Sequence, residues 1–446
     1  MTRERRLDWA TGASTLLAYA IVQLALLQGP HPHDPAIYFK VAVEFPDVGA
    51  GLFTLRIGLL APVVASLFVF GPSVASLYAV PVAAELVLVA AVYGTMLLLA
   101  RDRVLAASAA LVTGLNSYYL LNSSFIFPDT LGTATFAAGF LCLVLGGTRM
   151  RGEEQGKGRA SFFVIAAGAL FGWTYLVREF SPILVPAVAA AAVLLHYQLR
   201  YVAMLVGAAV AAFSLELVYG LVRYGDPLVH LGLLFDRKQL PVEVGRARMA
   251  HIQGQLNDVL DTIVVFPRLL LSWHVGWIFL LLLAVFVLSL ARFRDRRLWI
   301  LGAWFFSLWA TMAVFGLVTL PSGRWILNVT NIRYWYPIFP PLVMGAFLGV
   351  GLLFGKFLPG RRRISIARIV GVALVGLVLI PGIVEFQRCA AKDVWRRDPA
   401  AGWNDLRSWF ATREAQRYDV VWTDRSSHRL IPALRAPHSA DASGKG

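Results

Sequence analysis

The stretch HPHDPAIYFK, residues 31–40, places Asp34 directly before Pro35, just past a long apolar run. Asp is favoured at a helix N-cap and Pro at the first helical position, so Asp34 is expected to cap a helix from Pro35 to about Val43. The same carboxylate, fixed at a lipid–water edge, is also placed to accept a proton from an incoming hydroxyl. Tyr38 follows one turn on and Ala42 a turn later, with Lys40 between them. A second carboxylate, Asp129 in FIFPDTLGT, stands where one apolar run ends and the next begins. It reads either as an N-cap or as a ligand for acceptor hydroxyls or a divalent cation, since hard cations take oxygen ligands.

Arg56, Arg178 and Arg333 each fall at the outer end of an apolar segment, against the usual charge bias. Snorkelling or local pairing, for example Arg178 with Glu179, accounts for each one alone. Together they read as a phosphate clamp, because guanidinium groups hold phosphate oxygens in a fork. His31 and His33, two residues apart around a proline, make a poor preformed metal pair. Glu85 and Glu216 lie inside apolar runs, where an acid serves either function or buried hydrogen bonding.

The elements that must position these residues are membrane helices. Of 446 residues, 58% are hydrophobic and 15% charged, and apolar runs of about 20 residues recur along most of the chain. The net charge of +15 gathers in short loops between these runs, which points to membrane topology rather than nucleic acid. Two cysteines, Cys142 and Cys389, imply neither a disulfide framework nor a Cys-type metal site.

Eleven spans are expected, at about 9–28, 73–100, 104–121, 130–147, 160–177, 181–197, 201–222, 270–291, 298–320, 334–355 and 365–385. The apolar segment 57–70 is short for a span and is read as a juxtamembrane or re-entrant helix. MTRERR precedes a first helix read as retained, with the N-terminus in the cytoplasm. The loops RDR, RMRGEEQGKGR, RFRDRR and KFLPGRRR then all face the cytoplasm, as the positive-inside rule asks. The long non-tail loops fall on the opposite face: 29–72, 122–129, 223–269 and 321–333. Residues 1–385 are thus expected to form a transmembrane catalytic domain, with 29–72 its first extracytoplasmic loop. Residues 386–446 would be a small extracytoplasmic tail, in which DVVWT after a helical stretch suggests an α/β-like appendage.

Four patches resemble the GT-C superfamily of polyprenyl-phosphate-sugar-dependent glycosyltransferases, especially its protein O-mannosyltransferase-like and aminoarabinose transferase-like bacterial branch. They are Asp34 with Tyr38 and Ala42; LRIGLLAP at Leu55–Pro62; FPD at Phe127–Asp129; and IRYWYPIFPPL at Ile332–Leu342. Arg178 matches a further arginine frequent at the end of the fifth helix. The family's acidic pair after the first helix is Asp34-Pro35 here, which leaves Asp34 the sole acid at that spot. The resemblance implies an all-α GT-C-like bundle of about 11 transmembrane helices with extracytoplasmic juxtamembrane helices. It implies inverting transfer of a sugar from a polyprenyl-phosphate donor to a hydroxyl on a glycan, lipid or protein acceptor, at the outer face of the cell (inner or plasma) membrane. In it Asp34 would be the catalytic base. Arg56, Arg178, Arg333 and Lys40 would bind the donor phosphate, Asp129 the acceptor or a divalent cation, and Tyr38, His33 and Tyr334 would support them. The rival class is a secondary transporter or lipid flippase of similar helix count. That reading calls for repeated halves and polar groups near mid-membrane, whereas these polar groups sit at the outer helix ends.

Overall fold

The computed structural model describes residues 2–27, 34–47, 49–71, 73–150, 155–178, 181–235, 259–272, 275–315, 332–357 and 361–392. Among these residues the chain is helical, without strands. A first helix α1 (Arg3–Ala25) is followed by α2 (Asp34–Glu44), the short α3 (Leu52–Leu55) and α4 (Ile57–Phe70). Then come α5 (Val74–Ala100), α6 (Arg103–Gly114), the single-turn α7 (Ser117–Leu120), α8 (Pro128–Arg149) and α9 (Gln155–Val177). A 3-10 turn, Ser181–Leu184, leads into α10 (Val185–Leu194), α11 (Leu199–Tyr224), α12 (Val229–Phe235) and α13 (Val259–Leu271). The chain continues through α14 (Gly276–Arg292) and α15 (Arg296–Phe315), then a second 3-10 turn, Ile332–Ile338. The last helices are α16 (Phe339–Phe357) and α17 (Arg361–Lys392).

Among the described residues, seven helical segments are long and apolar enough to cross a membrane, and five more apolar helices are shorter. Of the eleven expected spans, seven coincide with long helices and three, at 104–121, 181–197 and 270–291, with shorter ones, while the first, α1, is in neither set. The expected third span breaks after Gly114, because the Asn116 side chain donates to the Thr113 carbonyl and accepts from the Tyr119 amide. A short amide side chain that satisfies backbone groups in this way starts a new turn instead of extending the helix. The expected sixth span likewise opens as a 3-10 turn before α10. The segment 223–268, expected to be polar and irregular, contains α12 and most of α13, and α14 begins only at Gly276. The short segment 57–70 is α4, as its length suggested. The expected tail strand and His31 and His33 lie outside the described residues.

Small residues set the closest helix approaches. On α9, Gly168 and Gly172 lie one turn apart against the α11 backbone. A Cβ on Gly168 would sit 2.2 Å from the Leu205 carbonyl oxygen, so only glycine allows this contact. In lipid, where apolar burial adds no drive for helix association, such close van der Waals packing is a main source of cohesion. The principal core joins α5, α6, α8, α14, α15 and α16 around Trp304, Trp335, Tyr118 and Phe140. A smaller core packs α2, α4 and α5 around Tyr38, Phe39, Leu60 and Val63, and it includes Ile126 and Val177. That second core brings the α2–α4 segment onto the ends of α8 and α9. Apolar side chains such as Val210 and Val222 on α11, and Ile369 and Ile380 on α17, point outward, as lipid-facing residues must.

Candidate active site

Five helix ends meet at one corner of the bundle. Asp34 is the first residue of α2, and Tyr38 lies one turn further on. Arg56 sits at the junction of α3 and α4. Asp129 is in the first turn of α8, and Arg178 directly follows α9. Arg333 and Tyr334 belong to the 3-10 turn that opens into α16. The contact that brings α4 to α9 is made by Gly58, whose Cβ would lie 2.6 Å from the Val177 backbone nitrogen. Arg56 and Arg178 are thereby each held within two residues of the same backbone crossing.

Two ion pairs of different character hold the corner. Arg178 Nη2 lies 3.0 Å from Asp129 Oδ1, with side-chain exposures of only 8% and 1%. Arg333 Nη2 lies 3.6 Å from Asp34 Oδ2, with exposures of 23% and 45%. The first is a buried pair, costly to break because either partner alone is an uncompensated charge. The second is half-open to solvent and contributes little to stability. An Asp in the first turn of α8 also meets the positive end of the helix dipole. Phe127, not Asp129, occupies the α8 N-cap, so the expected capping role of Asp129 is replaced by its pairing with Arg178.

Aromatic rings order the guanidinium groups. The Arg178 guanidinium lies 4.7 Å from the Tyr334 ring centre, and that of Arg333 lies 4.3 Å from Phe127. Both are within cation–π range. The Arg56 guanidinium donates to the Tyr38 hydroxyl. Contacts thus run from Arg56 to Tyr38, along α2 to Asp34, across to Arg333 and Phe127, and on to Asp129, Arg178 and Tyr334. Lys40 instead pairs with Glu44 on its own helix at 3.7 Å.

Beneath these residues lies a polar clasp that the sequence did not single out. The Tyr119 hydroxyl donates to the Tyr336 carbonyl at 2.7 Å, and the two rings lie 4.7 Å apart. Asn122 donates to the Tyr336 hydroxyl, which itself donates to the Tyr118 carbonyl. The clasp fixes the 3-10 turn bearing Arg333 and Tyr334 to α7. Its visible signal was YYLLN, polar and aromatic groups just ahead of FPD.

Beside Arg56 opens an apolar groove of about 580 Å³, lined by Ile57, Leu60, Ala61, Val64 and Phe68 of α4 with Phe45 and Tyr219. Arg56 directly precedes Ile57, the first α4 residue of the lining, and the lining itself is apolar apart from the Tyr219 hydroxyl. Among the described residues no three His, Cys, Asp or Glu side chains converge as a metal site.

Comparison with known proteins bears on the fold of this helical bundle. No protein-family model and no curated protein sequence matches the chain. Solved structures do. ArnT from Cupriavidus metallidurans in the apo state aligns with 97% of this chain and 85% of its own, at TM-score 0.53 and 14% identity. The same protein bound to undecaprenyl phosphate aligns with 95% of this chain and 84% of its own, at TM-score 0.52 and 13% identity. The apo oligosaccharyltransferase of Archaeoglobus fulgidus aligns with 95% of this chain, at TM-score 0.51 and 14% identity. This chain spans 64% of the length of that protein. The chain has the fold of these structures, and among its described residues seven helical segments are long and apolar enough to cross a membrane.

Proposed function

We propose that the chain is an inverting glycosyltransferase that moves a sugar from a polyprenyl-phosphate donor to a hydroxyl acceptor. The observation that carries this reading is the corner that gathers Asp34 with Arg56, Arg178 and Arg333, with an apolar groove along α4 starting at the residue after Arg56. The isoprenoid chain would lie along α4 and its phosphate would meet Arg56. Arg178 and Arg333 complete the clamp, each already ordered by an aromatic ring. The acceptor oxygen attacks the anomeric carbon while Asp34 takes its proton. The bond from the anomeric carbon to the phosphate oxygen breaks, and the polyprenyl phosphate leaves with the added negative charge. The guanidinium groups stabilise that charge as it develops.

Within this reading Asp129 holds Arg178 in place, and Lys40, paired with Glu44, is peripheral. The corner faces the outer side of the membrane. Arg101, Arg103, Arg149, Arg292, Arg294, Arg296 and Arg297 cluster at the other helix ends, and basic loops favour the cytoplasm. A panel of radiolabelled polyprenyl-phosphate sugars, presented with the purified protein in liposomes, tests the activity. Label transferred from at least one donor to an added glycan, lipid or peptide acceptor supports the reading. Donors that cross the bilayer without being consumed would instead support the transporter class.

A further inference from the structure

A second acid–base pair lies buried between α11 and α12, and neither residue belongs to the corner. His230 Nδ1 on α12 shares a hydrogen bond of 2.6 Å with Glu216 Oε1 on α11. Both residues are more than nine-tenths buried. Two such groups are not placed together in an apolar setting without consequence, because each would carry a large burial cost without the other. What they join is informative. α12 is a short helix that follows a tight turn after α11, where Asp226 Oδ1 accepts from the Leu228 amide at 2.8 Å. From there α12 packs against both α11 and α3.

α3 is the four-residue helix that ends next to Arg56. It has little intrinsic stability, since a single turn forms few backbone hydrogen bonds. It is held from two sides. On its own chain, the Thr54 hydroxyl caps the Gly51 amide at 2.8 Å. From α11, the Tyr219 hydroxyl donates to the Thr54 carbonyl at 3.3 Å. Arg223, one turn further along α11, donates to the Pro46 carbonyl in the loop before α3. α11 thus holds Pro46 and α3 by hydrogen bonds, α12 packs on α3 beside it, and the His230–Glu216 pair joins α12 to α11.

We propose that His230 and Glu216 are positioning residues for Arg56. By docking α12 onto α11 they fix α3, and α3 fixes the angle at which Arg56 leaves the backbone toward Tyr38. The inference rests on the reading of Arg56 as a ligand of the donor phosphate. Neither residue touches the corner itself, so the effect is expected in donor binding and to pass through Arg56.

The test measures binding of polyprenyl phosphate in detergent to the full chain and to His230→Ala, Arg56→Gln and the double variant, with the melting temperature of each. Single substitutions at either position are expected to weaken binding roughly tenfold, and the double variant to bind no worse than Arg56→Gln alone, the non-additivity of coupled sites. His230→Asn, which keeps an amide N–H near the position of Nδ1, is expected to restore most of the affinity. It also serves where His230→Ala fails to fold, and Glu216→Gln gives a second route. Weakening that adds fully to that of Arg56→Gln would overturn the proposal, as would a lowered melting temperature with unchanged affinity. Unchanged affinity in Arg56→Gln itself would instead remove the reading of Arg56 on which the inference stands.

Discussion

Replacing Asp129 and Asp34 in parallel separates what holds the corner from what works in it. Asp129→Ala takes the ion pair from Arg178, which is almost fully buried, and keeps its contact with the Tyr334 ring. Removing one partner of a buried pair costs about 3–5 kcal/mol, most of it the burden of the charge left behind. Asp34→Ala breaks a longer pair whose groups are 45% and 23% exposed. Screening by solvent limits that loss to about 0–1 kcal/mol. For a chain of this length each kcal/mol shifts the melting temperature by roughly 1–2 °C. Asp129→Ala is therefore expected to melt roughly 5 °C lower, and Asp34→Ala within about 1 °C of the parent. The assay is loss of the monodisperse chromatographic peak after a heating series in one detergent. A double variant sharpens it. Asp129→Leu with Arg178→Met removes both charges and should regain most of the lost stability, yet not activity, because a proposed phosphate ligand is gone. Equal melting temperatures for the two single variants, or no recovery in the double, would refute the division of the corner into a structural and a working pair.

Further perturbations bear on the other parts. Gly58→Ala would bring a methyl group against the Val177 backbone. It should cost about 1–3 kcal/mol by overpacking and weaken donor binding, read by the same melting and binding measurements. Tyr119→Phe removes the hydroxyl bound to the Tyr336 carbonyl. It should cost about 0.5–1.5 kcal/mol and lower kcat more than it raises the acceptor KM. Ala61→Trp fills the groove beside Arg56. It should raise KM for a long-chain polyprenyl donor while sparing a donor with a short, water-soluble prenyl chain, as competition kinetics with the two would show.

The long helices were legible because apolar runs of span length have few alternatives in a membrane chain, and α5, α8, α9 and α11 fall where their composition put them. The breaks were harder. Asn116 looks like one polar residue in an apolar run until its amide is seen to satisfy two backbone groups. α13 was hidden because its first turn follows the polar stretch QLND and its apolar face begins only afterward. Around the corner, side-chain types and their order along the chain singled out Asp34, Asp129 and the arginines, since charged groups at helix ends stand out in an apolar chain. Which acid meets which arginine depends on how α8, α9 and the 3-10 turn pack, and no local spacing encodes that. Lys40 shows the converse: a purely local rule, Lys40 with Glu44 one turn away, describes its contact better than its place beside Asp34 does.

The central claim is that Asp34 takes the acceptor proton while the arginines hold the donor. It is tested most directly by measuring, on one preparation of Asp34→Asn, both polyprenyl-phosphate binding and the rate of sugar transfer. Loss of a general base lowers rates by roughly 10²–10⁴-fold. The account predicts a fall in transfer of that size, with donor affinity within about threefold of the parent because the exposed pair to Arg333 contributes little. Transfer at the parental rate by Asp34→Asn would contradict it.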